Sequence, residues 1–266
     1  MKSQLGNLER QLFAYAQMRG LGVLRTGDLV GPLRISARQE NDLLSRLSRA
    51  GMLAKVQRGL YLVPPRLPLG GKWSPDEATA INALMNARDG RYQICGPNAF
   101  NRYGLDDQIP ARVYAYNNRT YGERTIGAVQ LTLIKVASER LGATEEAKLP
   151  DGQKAVYSSR ARTLVDAVYD WSRFEGLPRA YRWIRDELAA KRVRASQLVD
   201  LVLRYGNKGT ARRIGVLLES LGARRALLRK LEAAVTRNGS TIPWIPTLSK
   251  RGRLDRRWGV VVNGEA

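Results

Sequence analysis

Few residues in this chain could carry catalysis, because histidine is absent and cysteine occurs once, at Cys95. A Cys/His zinc site, an internal disulfide and a triad with a histidine base are therefore excluded. Metal-assisted phosphodiester chemistry needs converging carboxylates, and the chain offers only pairs. These pairs are Asp106 with Asp107 and Asp166 with Asp170. Since nearby arginines are the favoured partners of such aspartates, we expect no metal site, no cofactor and no catalytic residue. We interpret Cys95 as a buried apolar side chain.

The charge of the chain points to a polyanionic partner. Its 45 Lys and Arg side chains exceed its 24 Asp and Glu, so the formal net charge is +21. Two regions hold much of the excess: residues 1–65 have ten basic and four acidic side chains, and residues 206–258 have 13 and three. This balance favours nucleic acid as partner, and a plain solvated surface is the alternative. The N-terminus lacks an apolar signal region and no run of about 18 apolar residues occurs, so we expect a cytoplasmic protein without membrane contact.

The elements that must position these basic residues begin with three predicted helices and a hairpin. Residues 5–18 form an amphipathic helix, and Gly27–Gly31 form a short helix that Pro32 stops. The third helix begins at Ser36, which forms a capping box with Gln39, and Gly51 ends it. Two short strands then form a hairpin, at Met52–Lys55 and Gly59–Val63. This order is typical of a winged helix-turn-helix, a module that fits duplex DNA.

The third helix offers one side to DNA, because its leucines take the other side. Leu43, Leu44 and Leu47 must face the core, which leaves a polar face whose Arg and Asn suit bidentate contacts with guanine and adenine. The hairpin adds basic residues for the phosphates or the minor groove. A solvated polar face is the alternative for the helix alone. The predicted DNA-binding residues are Ser36, Arg38, Gln39, Asn41, Asp42, Ser45, Arg49, Lys55, Gln57 and Arg58.

The predicted fold class is α+β, with an N-terminal winged helix-turn-helix followed by a mixed α/β domain that ends in a helical C-terminal region. The predicted divisions are a DNA-binding domain at 1–65, a linker at 66–74 and a second domain at 75–266. Within that second domain we predict a helix start at Ser74-Pro75, a small mixed sheet at 91–158, helices at 159–237 and a strand at 257–263. Four of the helices are predicted at Ala180–Ala190, Ser196–Tyr205, Thr210–Leu221 and Arg224–Arg237.

Four segments of the chain together resemble the AbiEi-type antitoxins of type IV toxin–antitoxin and phage abortive-infection systems. They are the hairpin end Arg58–Pro64, Ser159–Asp166, Gly206–Gly222 and Arg257–Asn263. The resemblance implies that the N-terminal domain represses its own operon by binding repeats in the promoter. It also implies that the C-terminal domain counters a nucleotidyltransferase-like toxin without a stable complex. No catalytic residues come with the family.

The resemblance does not identify the residues of the antitoxic surface, so we predict them from charge and expected exposure. On that basis the surface comprises Lys208, Arg212, Arg213, Arg224 and Arg225. Two other functions stay open on the sequence. One is a ligand-responsive winged-helix regulator whose larger domain is a sensor. The other is a DNA-processing enzyme that uses the aspartate pairs and needs the winged helix only for targeting.

Overall fold

The computed structural model of the protein describes residues 5–67, 72–149, 152–235 and 240–264. Its fold is mixed α+β, as the sequence predicts. The helices are α1 (Asn7–Met18), α2 (Val30–Leu33), α3 (Ala37–Arg49), α4 (Glu77–Asn86), α5 (Pro97–Arg102), α6 (Arg160–Tyr169), α7 (Trp171–Phe174), α8 (Arg179–Ala189), α9 (Ala195–Tyr205), α10 (Lys208–Ser220) and α11 (Arg225–Ala233). The strands are β1 (Val23–Arg25), β2 (Ala54–Gln57), β3 (Leu60–Leu62), β4 (Tyr92–Ile94), β5 (Val113–Asn117), β6 (Gly122–Ile126), β7 (Val129–Lys135), β8 (Thr144–Lys148), β9 (Lys154–Ser158), β10 (Ile242–Pro243), β11 (Arg253–Asp255) and β12 (Val260–Val262).

The chain divides into two compact units that alternate along the sequence. The first unit comprises residues 1–92, 111–135 and 148–155, and the second comprises 93–110, 136–147 and 156–266. The predicted boundary at residue 65 and the linker at 66–74 stay predictions, and residues 68–71 of that linker lie outside the described residues. The backbone N–H of Trp73 donates to the carbonyl of Gly51 at 2.8 Å, so the chain past residue 72 is attached to the N-terminal elements.

Helices α1, α2 and α3 pack around one apolar cluster in the first unit. Leu12 and Phe13 of α1 meet Leu43, Leu44 and Leu47 of α3, and all five are buried. Each such side chain contributes about 1.5–3 kcal/mol on burial, so this cluster accounts for the local stability of the three helices. Beside them lies an antiparallel sheet with the strand order β1-β3-β2.

The prediction for the short second helix was wrong. The residues predicted to be helical, Gly27–Gly31, are largely a turn, and α2 begins at Val30 and includes Pro32. Proline is tolerated there because the N–H groups of the first helical turn have no partner within the helix. The strand β1 was also missed, since its three residues are too few to show a period.

The helix start predicted at Ser74 lies two residues later. Asp76 is the N-cap of α4, and its carboxylate accepts a hydrogen bond from the backbone N–H of Thr79 at 2.9 Å. Ser74 instead accepts a hydrogen bond from the N–H of Ala128 at 2.8 Å, in the turn between β6 and β7.

In this unit β6 and β7 are antiparallel, and β5 runs parallel to β7.

The second unit is mainly helical. Parts of β4 and β9 belong to it and run parallel, with Ile94 opposite Tyr157. Strands β8 and β9 were not predicted individually. A small sheet in the order β10-β12-β11 packs near α10, where the ring of buried Trp258 fills the space over Gly215. Any Cβ at Gly215 would lie 2.4 Å from that ring, which is too close for another residue. Cys95 is fully buried, as predicted.

Two element boundaries predicted in this unit differ from the structure. The last helix ends at Ala233 and not at Arg237, and residues 236–239 lie outside the described residues. The C-terminal strand covers 260–262 of the predicted 257–263, because Trp258 turns its side chain into the core first. No helix in the described ranges is long and apolar enough to span a bilayer.

Candidate nucleic-acid interface

Helix α3 carries an exposed stripe on the side opposite its core contacts. Arg38, Asp42, Ser45 and Arg49 recur at intervals of four, three and four residues, so they share one face at 3.6 residues per turn. All four are exposed, while Leu43, Leu44 and Leu47 on the other side are buried. The stripe extends over about 16 Å at 1.5 Å per residue, a length that suits contacts with several base pairs.

The N-terminus of α3 is held by the predicted capping box. The N–H of Gln39 donates to Ser36 Oγ at 3.2 Å, and the N–H of Ser36 donates to Gln39 Oε1 at 2.8 Å. Ser36, Gln39 and Asn41 are exposed beside the stripe. Because the box satisfies two backbone donors locally, the first turn is rigid where the predicted base contacts begin.

A buried carboxylate that the sequence interpretation did not single out sets the turn before α3. Glu40 is fully buried, and its Oε2 accepts from the N–H of Gly27 at 2.6 Å. Its Oε1 accepts from the N–H of Leu29 at 2.8 Å. The two bonds connect the turn that leads into α2 to the first turn of α3. Glu40 is therefore a positioning residue for the α2–α3 pair, and its signal was an acidic residue within the leucine-bearing side of the helix.

Replacing Glu40 with glutamine should lower the free energy of unfolding of the first unit by about 1–3 kcal/mol. The amide offers one oxygen, so either the Gly27 or the Leu29 N–H loses its buried acceptor. Urea unfolding followed by far-UV circular dichroism measures the loss. Asp42→Asn, an exposed change on the same helix, is the matched control and should shift stability by less than about 0.5 kcal/mol. Equal effects of the two changes would contradict the positioning role.

The hairpin of β2 and β3 presents the remaining predicted DNA contacts. Lys55 and Arg58 are exposed, whereas Gln57 is half-buried at an irregularity of the β2–β3 register. Gly59 has φ +73°, which lets the turn close, and its carbonyl accepts from the N–H of Thr26 at 3.0 Å. The turn residues are thus fixed to the strand before α2.

The second basic region differs from the prediction at two positions. Arg213 is buried, and its guanidinium donates to the carbonyl of Pro243 at 3.2 Å. Arg212 is half-buried and donates to the carbonyl of Trp258 at 2.6 Å. Burial lowers the pKa of both guanidinium groups. These arginines connect α10 to the C-terminal strands and do not form an exposed surface. Lys208, Arg224 and Arg225 are exposed as predicted.

One aspartate of each pair considered for metal binding forms ion pairs with arginine. Both oxygens of Asp166 accept from Arg162 Nε at 2.9 Å, and Oδ1 also accepts from Arg140 at 3.0 Å. Burial raises the pKa of Asp166, and the two arginines oppose that shift. Asp106 forms an ion pair with Arg179. Among the described residues no group of three or more potential metal ligands occurs.

The geometry defines a class of protein: an α+β chain whose N-terminal elements present a capped helix with a polar stripe and, beside it, a hairpin with basic residues. Residues 10–64 match the family model described as "Transcriptional regulator, AbiEi antitoxin". This match confirms the AbiEi resemblance over that segment. It begins within α1 and ends after β3, and so includes every residue predicted to bind DNA.

Comparison with solved structures shows a related fold over nearly the whole chain. The crystal structure of the RV2827C protein from Mycobacterium tuberculosis superposes with a TM-score of 0.61 at 17% sequence identity. The superposition covers 97% of this chain and 92% of that one. No curated protein matches the sequence. The likeness at this identity concerns the fold alone.

Proposed function

We propose that the N-terminal elements are a winged helix-turn-helix that binds duplex DNA and represses the operon of this protein at repeats in its promoter. The observation that carries the proposal is the exposed stripe of α3, Arg38–Asp42–Ser45–Arg49, on a helix whose start is capped. The match to a family of transcriptional regulators and antitoxins supports it.

The mechanism follows from the side chains that the two elements present. Helix α3 enters the major groove, where Arg38 suits guanine, Asn41 suits adenine and Asp42 accepts from the amino group of cytosine. Lys55 and Arg58 of the hairpin contact phosphates or the minor groove, so they add affinity without much sequence information. Arg46 takes no part, because Glu9 of α1 holds its guanidinium at 3.0 Å.

We further propose that the second unit is the antitoxic part of a type IV abortive-infection system. It counters a nucleotidyltransferase-like toxin without forming a stable complex. The surface proposed for this role is the exposed basic set on α10, α11 and the turn between them. It comprises Lys208, Arg224, Arg225, Arg229 and Lys230.

A growth assay tests the antitoxic role in the full-length chain. The gene adjacent to the one for this protein is induced as the toxin, with and without the protein. Full-length variants are preferable to a cut at residue 65, because such a cut removes part of the first compact unit. The wild type should rescue growth, and R224E/R225E should fail to rescue while it still binds operator DNA.

A control with the same change in net charge shows whether a loss of rescue comes from the proposed surface or from net charge alone. R182E/R194E changes two exposed arginines of the same unit outside α10 and α11 and should still rescue. Absence of toxicity from the adjacent gene, or rescue by R224E/R225E, would contradict the antitoxic role as placed here.

One observation favours a second candidate function, a ligand-responsive regulator. The first unit contains a cavity of about 570 Å³, a volume that accommodates a small metabolite. Its wall is mostly apolar, with Leu21, Pro64 and Pro75, and the amides of Asn82 and Asn86 also line it. Release of operator DNA upon titration of neutral metabolites would support the sensor, whereas the antitoxin should show no release.

A further inference from the structure

A groove of about 550 Å³ in the first unit, beside the proposed DNA surface, is lined by basic side chains. The end of α3, strand β2, residues 72–74 and the turn between β6 and β7 form its walls. Arg49, Lys55 and Lys72 line it, and none of the described residues that line it is acidic. Arg49 belongs to the stripe on α3 and Lys55 belongs to the hairpin, whereas Lys72 belongs to neither.

The position of Lys72 is fixed by the chain around it. The N–H of its neighbour Trp73 donates to the carbonyl of Gly51 at 2.8 Å. Gly51 has φ +73°, and a Cβ placed there would lie 3.4 Å from Cγ of Lys72. The lysine stem therefore lies against the end of α3. Two residues after Lys72, Ser74 Oγ accepts from the N–H of Ala128, which connects this segment to the β6–β7 turn.

The cations of the groove lack the acidic partners that neutralise other arginines of this unit. Arg46 pairs with Glu9, Arg112 with Glu123 and Arg119 with Asp89. Within the described part of the chain, neither Lys55 nor Lys72 has an ion pair, and both are exposed. The groove is thus a site of uncompensated positive charge.

The groove suits an anion despite its place at the C-terminal end of a helix. That end carries a partial charge of about −0.5, which three cations outweigh. The carbonyl of Gly51 is also already occupied by the N–H of Trp73. Arg49 is the last residue of the exposed stripe and also lines the groove, so the stripe leads directly into it.

We propose that this groove binds the sugar–phosphate backbone of the operator DNA, with Lys72 as a phosphate contact beyond the hairpin. The inference rests on the operator binding proposed above. A duplex that accepts α3 in its major groove continues past Arg49, where its backbone meets Lys55 and Lys72. The DNA interface then extends beyond residues 10–64 to residues 72–74 and to the end of β6, where Thr125 lines the same groove.

Salt-dependent binding by the full-length protein tests the role of Lys72. The probes are a duplex from the region upstream of the protein's own gene and an unrelated duplex of equal length. Lys72→Gln should reduce the slope of log K against log salt by about 1, the value for one phosphate contact. Because phosphates carry no sequence information, the affinities for both duplexes should fall by the same factor.

The matched control is Lys135→Gln, which removes an exposed lysine from β7 of the same unit outside the groove. It should leave the slope unchanged. An unchanged slope for Lys72→Gln, or equal losses for both variants, would overturn the phosphate site while operator binding by α3 stands. If the wild type does not prefer the upstream duplex, the proposed repressor function itself fails.

Discussion

Replacing Arg38 and Arg49 with alanine should reduce affinity for operator DNA by about 30-fold or more. Each base-reading arginine contributes about 1–3 kcal/mol, so the pair contributes about 2 kcal/mol at the least. Both guanidinium groups are exposed on the same stripe of α3, and neither contributes to the buried leucine side. We therefore expect the variant to fold normally and to neutralise the toxin as well as the wild type does. A gel-shift titration and the growth assay measure the two outcomes.

The control for this variant is Arg91→Ala, an exposed arginine of the first unit away from α3 and the hairpin. It should bind the operator with wild-type affinity. A folded R38A/R49A protein that loses both operator binding and neutralisation would show that the two activities are not divided as proposed. If the variant still binds the operator with wild-type affinity, the stripe is not part of the DNA interface.

Replacing Asp166 with asparagine should destabilise the second unit by about 3–5 kcal/mol, the usual cost of breaking a buried ion pair from one side. Arg162 is fully buried, and Asp166 accepts two bonds from its Nε. The same guanidinium donates to the carbonyls of Arg140 and Gly142 and lies 3.9 Å from the ring of Tyr205. Without the carboxylate, that buried charge has only neutral partners.

Urea unfolding followed by tryptophan fluorescence measures this loss, since Trp171, Trp183, Trp244 and Trp258 all belong to the second unit. Asp200→Asn is the matched control. Asp200 is exposed on α9 of the same unit, so its replacement should cost less than about 0.5 kcal/mol. A stable Asp166→Asn protein would show that the carboxylate does not balance Arg162.

The sequence predicted those parts of the interface that depend on local patterns. The capping box of Ser36 and Gln39 and the buried leucines of α3 follow from spacing within one helix, and the structure confirms both. Glu40 stands out in the sequence as an acidic residue on the leucine-bearing side of α3, but its backbone donors could not be predicted, since they lie in a turn whose helix was misplaced.

The errors in the second unit have a tertiary cause. A basic residue on a helix is expected to face solvent, and this expectation holds for Lys208 but not for Arg213. The carbonyl that accepts the hydrogen bond from Arg213 belongs to Pro243, thirty positions further along the chain. The sequence pattern of α10 alone cannot predict a hydrogen-bond partner so far along the chain. Strands β10, β11 and β12 are only two or three residues long, which is too short to show a period, and β10 pairs with β12 eighteen positions further along.

The interleaving of the two units along the sequence has a consequence for the nascent chain. The first unit needs residues 148–155, which leave the ribosome after the opening segments of the second unit. Helix α3 is thus synthesised well before its compact unit can be completed. A polypeptide that ends early lacks part of the unit that bears the operator-reading helix, so unfinished products are poorly suited to act as repressors. For the same reason, recombination at a single crossover cannot transfer either unit to another gene without segments of the other unit.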